Sequence, residues 1–91
     1  MITLKFFATL RNITGKKEIV LEGAHNIEDA LTKASNLIGV DLIKELFEED
    51  GSLKKAVVVL VNGRNILHIK GINTELKDGD TVSIFPPVGG G

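Results

Sequence analysis

The sequence predicts a single α+β domain in which one mixed sheet carries a helix on one face. Residues 2–8 alternate between apolar and polar side chains, which is typical of a half-buried strand. Apolar residues recur at helical spacing over residues 27–38. Strand-like apolar runs follow at residues 56–61 and 81–85. A helix between two sets of strands can cover one face of the sheet that they form.

The first half of the chain is predicted to form a hairpin followed by the helix. Residues 2–8 form the first strand, and residues 9–17 connect it to a second strand at residues 18–22. The short connection favours an antiparallel pair. Asn26 is the predicted helix N-cap, and Gly39 is placed to end the helix in a left-handed conformation.

The second half is predicted to add a short helix and three strands. Asp41 can cap the short helix, and the strand at residues 56–61 is apolar on both faces, which predicts cover on both sides. An Asn-Gly pair at residues 62–63 indicates a tight turn before strands at residues 66–69 and 81–85. The order β-β-α-(α)-β-β-β fits the ubiquitin-like β-grasp, in which the first and last strands are neighbours.

The length and net charge of the chain limit the size of its core and the kinds of partner that it can bind. The chain has 91 residues and a net charge of −1, so it can form one modest core. The weak charge argues against nucleic acid or an anionic membrane as a partner. No apolar run approaches the length of a membrane span, and the N-terminus lacks a signal-peptide pattern. We therefore expect a cytoplasmic protein.

Groups that could catalyse a reaction are scarce. The sequence has no cysteine, which excludes disulfides, thiolate nucleophiles and zinc-thiolate sites. The two imidazoles, His25 and His68, are far apart in sequence and are expected at the surface. The acidic run at residues 48–50 is expected to be a solvated loop rather than a metal or basic-partner site. We expect no self-contained active site, no metal and no bound cofactor.

The most unusual segment is Phe-Pro-Pro-Val-Gly-Gly-Gly at residues 85–91. The two prolines cannot continue a sheet and should keep the exit extended, while glycines can enter a narrow slot. The α-carboxylate of Gly91, with a reference pKa of about 3.3–3.7, is ionised at neutral pH. This pattern favours a carboxylate carried into a partner's active site, with a frayed terminus as the alternative. The predicted domain spans residues 1–85, and the predicted flexible tail spans residues 86–91.

Two aromatic residues are predicted to lie on the sheet face opposite the helix. By parity, Phe7 and Phe85 both point away from the helix-covered side. If the first and last strands are neighbours, the two rings lie near each other, and the strand at residues 56–61 extends the apolar surface. Such a patch is typical of a partner site. The alternative is that the rings are scattered surface residues or lie under the connection at residues 9–17.

Several groups of residues follow the pattern of a known family. They are Phe6-Phe7-Ala8, Leu10-Arg11, Gly15, Val61-Asn62, Asp78-Gly79-Asp80, Val82, Phe85-Pro86-Pro87-Val88 and Gly90-Gly91. In these residues the chain resembles the MoaD/ThiS-type sulfur carriers of the ubiquitin-like superfamily. It most resembles the small subunit of molybdopterin synthase, and more distantly the thiamine-pathway carrier. The additional glycine Gly89 and a longer segment at residues 65–75 depart from the pattern.

The resemblance implies a role for the tail. An E1-like adenylyltransferase would use ATP to adenylate the Gly91 carboxylate, and a sulfur donor would convert it to a thiocarboxylate. The large subunit of molybdopterin synthase would then receive the carrier. There, the sulfur would enter the pyranopterin precursor in molybdenum or tungsten cofactor biosynthesis. Because the chain lacks cysteine, the C-terminal carbon is where a carrier of this sequence can hold sulfur covalently.

The remaining site residues follow from the aromatic surface, the terminal segment and the family pattern taken together. Phe7, Arg11 and Phe85 would bind the partner. The tail that enters the partner would comprise Pro86, Pro87, Val88, Gly89 and Gly90. Three alternatives stay open: a protein modifier attached to lysines through Gly91, a sulfur carrier for thiamine or tRNA thiolation, and a binding module with an inert tail.

Overall fold

The computed structural model describes residues 1–87, which form a five-stranded mixed sheet with three α-helices. The strands are β1 (Ile2–Phe6), β2 (Glu18–Leu21), β3 (Val58–Val61), β4 (Arg64–Asn65) and β5 (Thr81–Phe85). The helices are α1 (Thr9–Thr14), α2 (Ile27–Ile38) and α3 (Leu42–Leu46), and two 3-10 turns cover Ile66–His68 and Gly71–Asn73. The predicted element order is therefore largely confirmed.

The first and last strands pair at the centre of the sheet, as the sequence predicts. The strand order is β2-β1-β5-β3-β4. β1 runs parallel to β5, and the other neighbouring pairs are antiparallel. α2 makes the crossover between the first hairpin and the remaining strands, which is why a parallel pair can form between the two ends of the chain.

Helix α2 begins and ends at the predicted residues. The Asn26 side chain accepts the Asp29 N–H at 2.8 Å, and the Asp29 carboxylate accepts the His25 N–H at 2.9 Å. These reciprocal bonds satisfy donors at the helix start. The bond from the His25 backbone is the main reason that the pKa of Asp29 is lowered, and the Lys33 ammonium adds to it. Gly39 ends the helix at φ 83°.

The core lies between α2 and the inner face of the sheet. In β1 the alternation of apolar and polar residues places Ile2, Leu4 and Phe6 in the core. Buried residues also occupy every second position of β3 and β5. The helix residues that meet them are Ile27, Ala30, Leu31 and Ala34. Packing of one helical stripe on one sheet face therefore explains most of the buried apolar residues.

The connection predicted at residues 9–17 is wrong in part, because it contains helix α1. Only Leu10 and Thr14 of that helix are buried, and the Thr14 hydroxyl donates to the Leu10 carbonyl at 2.7 Å. Six residues with one apolar anchor are too few for helical periodicity to be visible in the sequence. Gly15, at φ 72°, ends α1 in the left-handed conformation and leads into the turn before β2.

The strand predicted at residues 66–69 is also wrong. β4 comprises Arg64–Asn65, and the Asn65 side chain accepts the Leu67 N–H at 2.9 Å, which bends the chain into a 3-10 turn. The prediction that residues 56–61 are buried on both faces of the sheet is confirmed for one face and wrong for the other. Val59 is buried, whereas Val58 on the opposite parity is half-buried because α2 packs on the other side of the sheet.

None of the helices within residues 1–87 is both long and apolar enough to cross a bilayer.

Candidate functional site

Two aromatic rings stack at the end of the central strand pair. The Phe7 and Phe85 ring centroids are 4.4 Å apart, and the ring planes differ by 11°. In the β1–β5 register Phe6 is paired with Ile84, and the Phe7 N–H donates to the Ile84 carbonyl at 3.1 Å. The next residue on each chain is therefore an aromatic on the outer face. The prediction that these two rings lie close together is confirmed.

Arg11 lies against the same aromatic pair. Its guanidinium carbon is 5.3 Å from the Phe7 ring centroid, within cation–π range. Its Nε donates to the Phe6 carbonyl at 2.9 Å, which holds the planar cation near the end of β1. The structure thus brings together Phe7, Arg11 and Phe85, the three residues predicted to bind a partner. Their role in binding stays a prediction.

The residue between Phe7 and α1 has a strained backbone conformation. Ala8, directly before α1, has φ 51° and ψ −131°, a conformation that is unfavourable for residues other than glycine. Leu10 is buried, and its N–H donates to the Phe7 carbonyl at 3.1 Å. Burial of Leu10 therefore offsets the strain at Ala8, and α1 places Arg11 over the ring.

A neighbouring strand extends the apolar surface. In the β3–β5 register Val58 lies opposite Phe85, and both residues are half-buried. We call Phe7, Arg11, Val58 and Phe85 the tail-exit surface, because the chain leaves the sheet there. Pro86 is buried and Pro87 is exposed. The other residues predicted to form the tail and to carry the reaction lie outside the described residues: Val88, Gly89, Gly90 and Gly91.

Basic side chains lie at the same end of the sheet as the tail-exit surface. The Lys17 carbonyl accepts the Phe6 N–H at 2.8 Å, so this lysine lies beside the end of β1. Lys54 and Lys55 precede β3, whose first residue is opposite Phe85. The arrangement would favour an acidic partner surface. The sequence shows these lysines as two Lys-Lys pairs, at residues 16–17 and 54–55, but only the topology brings the pairs to one end of the sheet.

Sequence reasoning missed the part that Ala8 plays in this site. No residue type marked Ala8, since glycine is the usual signal for its conformation. Val58 was included only in the apolar strand as a whole. The register with β5 is what places its side chain beside Phe85.

The acidic run forms an exposed turn, as the sequence predicts. The Asp50 carboxylate accepts the Ser52 hydroxyl at 2.6 Å and the Ser52 N–H at 2.9 Å, and the hydroxyl bond is the main reason that the pKa of Asp50 is lowered. Within residues 1–87, no three His, Asp or Glu side chains come close enough together to hold a metal ion.

Comparison with known proteins places this chain in one family. The model of the ThiS family matches residues 4–91. Small archaeal modifier protein 3 of Haloferax volcanii is 40% identical over 94 residues, which cover 99% of this chain and 98% of that protein.

Solved structures agree with this assignment. A chain in the crystal structure of the Amycolatopsis orientalis BexX/CysO complex matches with a TM-score of 0.84 at 28% identity, over 100% of both chains. A Pyrococcus furiosus protein provisionally named molybdopterin converting factor, subunit 1, matches with a TM-score of 0.67 at 33% identity, over 96% of this chain and 97% of that one. The predicted β-grasp is thereby confirmed, and the chain belongs to the ThiS family of ubiquitin-like sulfur carriers.

Proposed function

We propose that this chain carries sulfur as a thiocarboxylate on Gly91 and donates it as the small subunit of a molybdopterin synthase. The observation that carries the proposal is the tail-exit surface. A stacked aromatic pair with an adjacent arginine lies at the base of the segment that leads to Gly91. A docking surface at that position would set where the last residues enter a partner. The similarity to a molybdopterin converting factor subunit favours this acceptor.

The proposed chemistry takes place on the partners. A Gly91 carboxylate oxygen attacks the α-phosphorus of ATP in an E1-like adenylyltransferase, and pyrophosphate leaves. The mixed anhydride is a better acyl electrophile than a carboxylate, so sulfide delivered by a donor attacks its carbonyl carbon and AMP leaves. The product is a thiocarboxylate. ATP belongs to the activating enzyme, and this chain binds no cofactor of its own.

The docking geometry limits where the partner's reacting centre can lie. Pro87 is exposed, and four residues follow it. Four residues span at most about 14 Å when fully extended. The large subunit must therefore contact the tail-exit surface with its reacting centre within that distance of Pro87. Aromatic anchors in such a contact are commonly the residues on which affinity depends most.

The direct test is the intact mass of the full chain after incubation with ATP, the activating enzyme and a sulfur donor. We expect a gain equal to the replacement of one oxygen by sulfur, located on the C-terminal peptide. Deletion of Gly90 and Gly91 should abolish the gain. An unchanged mass, under conditions in which the same enzymes thiolate another carrier, contradicts the proposal.

A second test separates docking from activation. Phe85→Asp should weaken binding to the large subunit by several kcal/mol, because a charge replaces an anchor in the interface. Leu67→Asp is the matched control, since Leu67 is exposed and lies in the turn after β4. Circular dichroism of both variants should show the native fold. Equal binding by the two variants would remove the tail-exit surface from the proposal.

A second function is favoured by one observation, the 40% identity to small archaeal modifier protein 3 over 99% of the chain. The same acyl-adenylate would then be attacked by a lysine amine, which forms an isopeptide bond and releases AMP. Peptides carrying a Gly91 remnant on lysines of other proteins would support this function.

The remaining alternative is a sulfur carrier for thiamine or for tRNA thiolation. Loss of thiamine or of tRNA thiolation in a deletion strain that still makes normal pterin cofactor would identify the corresponding acceptor.

A further inference from the structure

β2 forms one edge of the sheet, and within residues 1–87 no strand pairs with its outer side. The Phe6 N–H donates to the Lys17 carbonyl, so Lys17 faces β1. Hydrogen-bonding direction alternates along a strand. Within β2, Glu18 and Val20 therefore direct their backbone N–H and C=O groups away from β1. This edge is a template on which a further strand can form hydrogen bonds.

Apolar side chains lie on both sides of this backbone edge. Val20, on the outer face of the sheet, is 49% exposed, and Leu37, on α2, is 71% exposed. Between β2 and α2 lies a groove of about 420 Å³. The residues that line it are Val20, Leu21, Glu22, Lys33, Asn36 and Leu37. Alternate side chains of an added strand would contact Val20 on one face and Leu37 on the other.

Charges around the edge indicate the occupant. Glu18 lies two residues before Val20, so the two side chains share the outer face of β2. Glu22 follows the strand directly and lines the groove together with Val20 and Leu37. Lys5 of β1 lies opposite Glu18, so its side chain is on the same outer face but on the side of β2 away from the open edge. The Lys33 ammonium is committed, since it donates to the Gly23 carbonyl at 3.0 Å and is 3.5 Å from the Asp29 carboxylate.

A second copy of this chain is a poor occupant. Antiparallel pairing of two β2 strands centred on Val20 would bring Glu18 of each copy to the level of Glu22 of the other, one residue beyond the end of β2. Like charges in that position are destabilising. A segment with basic residues two positions before and after an apolar residue would instead place opposite charges across the ladder.

We propose that the β2 edge binds an extended segment of another protein, with three apolar residues flanked by lysine or arginine, as an added strand. The central apolar residue packs on Val20, and its two neighbours face the α2 side, where one meets Leu37. The flanking cations lie beside Glu18 and Glu22. Main-chain bonds provide the pairing, and the alternating side chains provide the selectivity. This surface is separate from the tail, so the proposal stands whatever reaction Gly91 undergoes.

The probe is a labelled peptide, Ser-Lys-Leu-Val-Leu-Lys-Ser, blocked at both ends and titrated into the full-length protein. We expect binding by fluorescence anisotropy, with backbone amide NMR shifts concentrated at residues 18–22 and at Leu37. A peptide with glutamate in place of both lysines should bind at least about tenfold more weakly. Methylation of the central valine nitrogen should abolish binding because it removes a ladder donor, whereas methylation of a neighbouring leucine nitrogen should not.

Variants of the protein complete the test. Val20→Lys and Leu37→Glu should each weaken binding by about tenfold or more, since each places a charge in the apolar contact. Leu67→Glu, at a position 63% exposed, should change it by less than about twofold. Both edge variants should still form the thiocarboxylate as well as the wild type.

Three outcomes would overturn the inference. They are shifts that lie elsewhere on the protein, equal binding of the lysine and glutamate peptides, and a dimer in sedimentation experiments that Val20→Lys dissociates.

Discussion

The stacked pair at the tail exit should contribute a measurable coupling free energy to folding. We choose Phe7→Leu and Phe85→Leu, which keep an apolar side chain at each position but remove the aromatic ring. With centroids 4.4 Å apart and planes at 11°, the pair should contribute about 0.5–1.5 kcal/mol beyond area burial. The double variant should therefore be less destabilised than the sum of the single variants by about 1 kcal/mol.

The two single substitutions should not have equal effects. Phe7→Leu also removes the ring that Arg11 approaches at 5.3 Å, a contact that contributes about 0.5–1 kcal/mol at an exposed site. Phe85→Leu leaves that contact in place. We therefore expect Phe7→Leu to lower the free energy of unfolding more than Phe85→Leu does.

Urea unfolding at neutral pH, followed by circular dichroism, measures all four proteins. For a domain of this size, 1 kcal/mol also shifts the melting temperature by about 4–8 °C. Leu67→Ala combined with Phe85→Leu is the matched control. Its effects should add because Leu67 is an exposed residue of the turn after β4, whereas Phe85 lies at the end of β5. A coupling free energy within about 0.3 kcal/mol of zero for the aromatic pair would refute the reasoning.

Three further predictions concern the fold. Ala8→Gly should raise the free energy of unfolding by about 1 kcal/mol, because relief of strain of about 1–3 kcal/mol exceeds the entropic cost of glycine of about 0.5–1 kcal/mol. Asn26→Ala should lower it by about 1 kcal/mol through loss of the N-cap bond, whereas Asn36→Ala on the exposed face of α2 should have little effect. The pKa of Asp29 is lowered in the fold. The ionised Asp29 carboxylate therefore stabilises the fold at pH values above its ordinary pKa of about 3.9, and this stabilisation is lost as the pH falls through the lowered pKa. Asp29→Asn should remove that part of the decrease in the free energy of unfolding at acid pH.

For each of these three predictions, one outcome would contradict the reasoning. A fall in stability for Ala8→Gly would mean that packing of the methyl group outweighs backbone strain. Equal losses for the two asparagine variants would remove the special role of the cap. Parallel stability curves for Asp29→Asn and the wild type in acid would show that the carboxylate does not contribute through its charge.

Local signals were sufficient to predict β1, β2, β3, β5 and the long helix α2. In β1, alternation alone identifies Ile2, Leu4 and Phe6 as inward residues, and all three are buried. In α2, Asn26 and Gly39 mark the two ends, and the structure uses both as caps. These signals succeed because strand parity and helix capping are decided within a few neighbouring residues.

Elements that depend on distant contacts were predicted poorly. α1 is only six residues long, below the length at which a helix is stable by itself, and it forms because Leu10 is buried by the sheet. The segment after Asn65 has strand-like residues, but its side-chain cap turns the chain and leaves Leu67 exposed. Neither outcome follows from residue type, since each depends on what the rest of the chain covers.

The sequence by itself determined which face each strand residue occupies, and it therefore placed Phe7 and Phe85 on the same side of the sheet just before the tail. Only the tertiary structure decided that their rings stack, that Val58 adjoins them and that Arg11 covers Phe7. The physical reason is that parity is a local property of an extended chain. The choice of neighbouring strand and its register instead follow from how the whole sheet packs on α2.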